Sequence, residues 1–110
     1  MNTSSASQGN FYHNVYFWLH NPDSVEDRSF FEASLKKLLS NSVYVKSYHI
    51  GVPAATDRPV IDRSYTYAAV MSFANAADQD AYQVEDVHLT FISESKHLWT
   101  KVVIYDSIEV

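Results

Sequence analysis

Residues 11–20 read FYHNVYFWLH, a run of aromatic and β-branched side chains with no glycine or proline in it. On an extended chain Phe11, His13, Val15, Phe17 and Leu19 fall on one face and Tyr12, Asn14, Tyr16, Trp18 and His20 on the other. A strand with one face in water carries small or charged residues on that face. Here both rows are bulky and largely apolar, so the stretch predicts a strand covered on both sides. The fold therefore has to supply a layer for each face.

Working outward, NPDS at 21–24 breaks the strand, and Ser24 with Asp27 three residues on resembles a capping box that opens a helix. Along 25–40, Phe31, Leu35, Leu38 and Leu39 form one stripe, while Glu26, Asp27, Lys36 and Lys37 fall mainly elsewhere, which predicts an amphipathic helix packed on a sheet. Residues 42–52 alternate Tyr44, Lys46, Tyr48 and Ile50 against Val43, Val45, Ser47 and His49 and predict a second strand, ended by Gly51 and Pro53. The longest loop is expected at 53–63. A third strand is expected at 64–73, with Tyr65, Tyr67, Ala69, Met71 and Phe73 on one face.

A further helix is expected from about Asn75, an asparagine suited to cap it. It is interrupted at Val84-Glu85-Asp86, after which Asp86 is expected to cap a second helical segment. LWTKVVIYDSI, 98–108, predicts the fourth strand. The order is β-α-β-β-α-β, an α+β, ferredoxin-like arrangement of four antiparallel strands with helices on one face. The opposite face is still apolar. Two such sheets stacked across a two-fold axis would cover it, so the expected assembly is a homodimer through the sheet face, a dimeric α/β barrel.

One domain, 11–110, accounts for the chain, and MNTSSASQGN at 1–10 is expected to be a disordered polar lead-in. Net charge is −5 with Lys and Arg scattered, which argues against nucleic acid as a partner. No apolar run reaches the ~20 residues of a membrane span, so no membrane partner is expected and a cytoplasmic location follows. The absence of cysteine excludes disulfides, thiolate metal sites and cysteine nucleophiles. His13, His20, His49, His88 and His97 are dispersed without metal-ligand spacing, and no metal is assigned. With Gly9 and Gly51 the only glycines there is no phosphate-cradling loop, and no cofactor is expected.

The strand YHNVYFWL with its early histidine, the segment YQVEDVHLTF at 82–91 and the closing LWTKVVIYD together resemble the stress-responsive A/B barrel (Dabb) domain family, over about 11–107. The resemblance implies a dimeric α+β barrel and leaves the activity open. It also implies roles for particular residues. In a plant polyketide cyclase of that family a Tyr-x5-His in the broken helix supplies a histidine base and an assisting tyrosine, which match Tyr82 and His88 here, and an early-strand histidine matches His13. The chain departs from that cyclase in carrying Glu85-Asp86 where a His-Pro is usual, and Tyr67 in place of a third-strand histidine.

Tyr82 and His88 are the candidate catalytic residues. Six residues on one regular helix would set them about 240° apart, so only the break at 84–86 could bring them to one pocket. A histidine near neutrality can take a proton beside a carbonyl, and a phenol can hold the oxyanion that results. The bland alternative is that His88 is a hydrogen-bonded structural residue and Tyr82 packs an interface. His13, Tyr65 and Tyr67 are the candidate substrate-binding residues, with core packing or subunit contact as their alternative uses. Arg58 and Arg63 could hold an anion over a pocket mouth, or be neutralised locally by Asp57 and Asp62. The function expected is that of a small-molecule pocket, with a cyclase, isomerase or lyase using a histidine base and a tyrosine as one reading. A non-catalytic stress-response or metabolite-binding domain is the other.

Overall fold

Strand β1 (Phe11–Leu19) takes an interior place in a four-stranded sheet of order β2-β3-β1-β4, as a strand with two apolar faces requires. The computed structural model describes residues 9–110. Helix α1 spans Val25–Asn41, β2 Ser47–Gly51, β3 Tyr67–Phe73, α2 Ala76–Gln83 and α3 Asp86–Ser95, and a 3₁₀ turn at Lys96–Leu98 leads into β4, Trp99–Ile108. Every neighbouring pair of strands is antiparallel. The molecule is thus α+β and ferredoxin-like. No helix among the described residues is long and apolar enough to cross a membrane.

The helix ends follow local chemistry. Ser24 Oγ accepts from the Asp27 amide, and Asn75 Oδ1 accepts from the Asp78 amide, each relieving an orphan donor of the first turn. Glu85, and not Asp86, is the cap residue of α3. Its side chain is committed elsewhere, accepting from Ser42 Oγ at 2.6 Å and from the Val43 amide at 2.9 Å. Asp86 is the exposed first residue of the helix.

The alternation of β1 holds. His13, Val15, Phe17 and Leu19 are buried under the helices, and Tyr12, Asn14, Tyr16 and Trp18 lie half-buried on the opposite, open face. Phe31 of α1 is the centre of the core, fully enclosed and packed on the rings of Phe17, Tyr67 and Phe91. Leu35, Leu38 and Leu39 extend the same stripe. Burying a side chain of this size is worth about 1.5–3 kcal/mol, and edge-to-face rings add to it.

Three expectations are corrected. Residues 42–46 are not strand despite their alternation, because only Lys46 reaches the sheet, donating its amide to Ser72 O, while Tyr44 and Val45 turn their amides to Ser42 Oγ. The long loop runs from 52 to 66 and takes in the expected start of the third strand. Within it Tyr65 sits on Tyr16 and Trp18, so it lies on the open face, away from Tyr67, Ala69, Met71 and Phe73.

The expected disordered lead-in falls outside the described residues for 1–8. Gly9 and Asn10 belong to the fold: Gly9 is buried, and Asn10 O accepts from the Glu109 amide. Gly9 adopts φ +79°, and a Cβ there would come within 2.1 Å of the Phe73 carbonyl oxygen. Only glycine suits both demands.

Candidate functional site

The break in the helical segment does what regular geometry could not. Helix α2 stops at Gln83, the chain passes through Val84 and Glu85 in two non-helical conformations, and α3 starts in a new direction. Tyr82, in the last turn of α2, and His88, in the first turns of α3, consequently meet with ring centroids 4.6 Å apart. The Tyr82 ring also packs on Phe73 at 5.0 Å and lies 6.2 Å from the ring of His13.

His13, Tyr82 and His88 all line one cavity of about 170 Å³ between the sheet and the helices. The rest of its wall is mainly apolar, with Val15, Met71, Phe91, Ile92 and Trp99 among it. It reaches the surface beside β4, where the lining residue Ile104 is half exposed. An apolar cavity of this size class holds about one six-membered ring. A body of that size with one polar end matches the lining.

The polar groups are held in defined states. The Gln83 carbonyl, 3.0 Å from His88 Nδ1, can only accept, so Nδ1 carries the hydrogen and the lone pair belongs to Nε2. Burial lowers the His88 pKa below the ordinary histidine value, with the nearby His13 acting in the same sense and the Gln83 carbonyl and Glu85 opposing. The imidazole is thereby biased toward the neutral form that can take a proton. Burial and then the charge of Glu85 raise the Tyr82 pKa, which keeps the phenol protonated. Its hydroxyl makes no hydrogen bond to another described residue, leaving a donor for a ligand oxygen.

Asp106 was not apparent as a site residue. It stands opposite His13 in the β1–β4 register and brings Oδ1 to 2.5 Å from His13 Nδ1. Nothing in either local segment signals that pairing, which exists only once the first and last strands lie side by side.

The other candidates lie elsewhere. Tyr67 is buried beneath α1, stacked on Phe31 with the Arg28 guanidinium 4.8 Å above its ring and its hydroxyl donating to Glu32. Burial and then that hydrogen bond raise its pKa. Tyr65 lines a separate cleft of about 410 Å³ on the open face with Tyr16, Trp18, Asp62, Lys101 and Tyr105. Neither tyrosine borders the inner cavity. Arg58 and Arg63 are exposed in the 52–66 loop and line neither space.

Residues 11–109 match the stress-responsive A/B barrel domain. The chain belongs to that family. Among solved structures, the Dabb chain described here superposes on a Dabb protein with a ferredoxin-like fold from Mesorhizobium loti with a TM-score of 0.77 at 24% identity, covering 94% of this chain and 99% of that one. A hydroxynitrile lyase from Passiflora edulis superposes with a TM-score of 0.75 at 20% identity, covering 94% and 95%. A dimeric ferredoxin-like protein of unknown function from Thermobifida fusca gives 0.73 at 18%, covering 93% of each chain. No curated protein sequence matches the Dabb chain. At these identities the likeness establishes the fold, and chemistry has to be argued from the cavity.

Proposed function

We propose that this Dabb chain acts in the cytoplasm as a homodimer paired through its open sheet faces, with a small-molecule pocket in each copy. In that pocket His88 is the general base and Tyr82 the oxyanion donor for cyclase, isomerase or lyase chemistry on a small carbonyl compound. The observation that carries this reading is the convergence of Tyr82 and His88, by way of the helix break, on an otherwise apolar cavity.

The step common to these reactions is proton abstraction. His88 Nε2 takes a proton from the carbon next to a carbonyl, the C–H electron pair becomes the C=C bond of the enolate, and the Tyr82 hydroxyl donates to the enolate oxygen. An imidazole kept neutral by burial is the form this step needs. The apolar walls keep water from competing for the oxyanion. The dimer is supported by the aromatic open face and by related structures described as dimeric.

The test is exchange of the α-protons of phenylacetone in D₂O, followed by proton NMR. The native protein is expected to accelerate exchange, and His88→Ala to lower the rate by ~10²-fold or more. No acceleration by the native protein, or an unchanged rate in the variant, defeats the catalytic reading. Saturable phenylacetone binding without exchange would place the chain with metabolite-binding domains.

A further inference from the structure

We propose that Asp106 is a positioning residue that makes His13 a second proton-handling group of the cavity. This rests on the pocket reading above and extends it from one imidazole to two. His13 is 4% exposed, in the middle of β1, where a strand residue facing the helices is ordinarily apolar. The chain has placed its most polar inward-facing β1 side chain at the wall of the only space that also holds Tyr82 and His88 among the cavities described.

The Asp106 carboxylate accounts for the orientation of that ring. A carboxylate 2.5 Å from Nδ1 accepts a hydrogen from it, so Nδ1–H points along the sheet toward β4. The two ring nitrogens point in divergent directions, so Nε2 is turned away from β4 and into the molecule. Nε2 is thus the nitrogen that exchanges its proton with whatever occupies the cavity. Edge contacts with Phe73 and Tyr82, at 6.1 and 6.2 Å between centroids, restrict the ring to this plane. The groups facing His13 are Asp106 from β4, Tyr82 from α2 and His88 from α3, and only the first is a carboxylate.

The two histidines are then held by different acceptors toward the same space. A backbone carbonyl fixes His88, and a carboxylate with 43% side-chain exposure fixes His13. The exposed carboxylate gives the buried imidazole a hydrogen-bonded link to solvent. A substrate suited to the pair carries two protons that bases can take, such as one on a hydroxyl and one on an enolisable carbon, on an apolar body about the size of one ring.

Asp106→Asn tests this with little change of shape. An amide in place of the carboxylate can donate to Nδ1, and the neutral ring is then expected to move its hydrogen to Nε2, the kind of tautomer reversal known when an orienting aspartate becomes asparagine. The measurement is long-range ¹H–¹⁵N NMR of ¹⁵N-histidine-labelled protein at about pH 9, where ordinary imidazoles are neutral. Native protein should show His13 as the Nδ1–H tautomer and Asp106→Asn as Nε2–H. In the phenylacetone assay Asp106→Asn is expected to lower kcat ~10-fold or more with KM little changed, and Asp106→Glu to restore part of it. A native His13 in the Nε2–H form, or a variant that retains both tautomer and rate, overturns the proposal. If native protein does not exchange phenylacetone, the pocket chemistry fails while the tautomer measurement still decides the role of Asp106.

Discussion

At the scale of single residues, His88 ties stability to pH. Its folded-state pKa lies below the ordinary histidine value near 6.5, chiefly through burial. Between the two values the unfolded chain binds the proton that the native protein refuses, so stability gained from His88 is present above about pH 6.5 and is lost as pH falls through the lowered value. Thermal melts from about pH 7.5 to 5 should therefore show Tm falling with acid, and His88→Gln should flatten that slope; an equal slope in both proteins would place the titration elsewhere. Glu94, whose pKa is lowered by hydrogen bonds from Lys37 and Ser34, adds an acid-sensitive contribution only below its ordinary value of 4.5. Tyr82 and His88 were legible in the sequence because their spacing and the break between them lie within ten residues. Asp106 was not, because its relation to His13 is a register between residues 93 positions apart.

At the scale of elements, the joint between α2 and α3 depends on Glu85. Its carboxylate ties the break to the end of α1 through Ser42 and Val43, so three helices share one hydrogen-bonded junction. Glu85→Ala should cost about 1–3 kcal/mol in urea unfolding, the range for losing charge-assisted hydrogen bonds. It should also lower phenylacetone exchange by moving His88 relative to Tyr82; full stability and full exchange together would mean that the break holds its shape without Glu85. The structure thus gives the glutamate a job of its own. Strands and helices were readable wherever an apolar period was matched by a partner element, as in 11–19 and 25–41. They were misread where alternation ran on past the pairing. Tyr44 alternates correctly but has no strand to join, and Tyr65 precedes β3 in a loop that carries its ring to the other side of the sheet.

At the scale of the whole molecule, the sheet has one face under helices and one without. The uncovered face carries Tyr16, Trp18, Tyr65, Val103 and Tyr105, with Lys101 Nζ 4.5 Å above the Trp18 ring. If that face pairs two copies, Trp18→Asp replaces a large apolar ring by a hydrated carboxylate and should convert the dimer to a monomer by light scattering at micromolar concentration. A dimer that survives the substitution, or native protein that scatters as a monomer, would rule the pairing out. That both faces of β1 are bulky was legible from the strand alone. Which side would stay open was not, because that depends on the hand of the connections as much as on hydrophobicity.

The bulge where β4 meets the end of β1 has a use in the laboratory. Trp18 pairs with Lys101 but Leu19 pairs with Trp99, so Thr100 is skipped and the alternation of β4 reverses there. In an unbroken strand Trp99 would share the open face with Lys101; the extra residue turns it to the inner cavity, which it lines, while Trp18 stays on the outside. The two tryptophans of the chain thus sit on opposite sides of one sheet. Each is an intrinsic fluorophore for a different event. With Trp18 replaced by Phe, emission would report occupancy of the proposed pocket through Trp99; with Trp99 replaced instead, it would report the proposed pairing of the sheets through Trp18. Ligand binding and association can then be followed separately without a label on either.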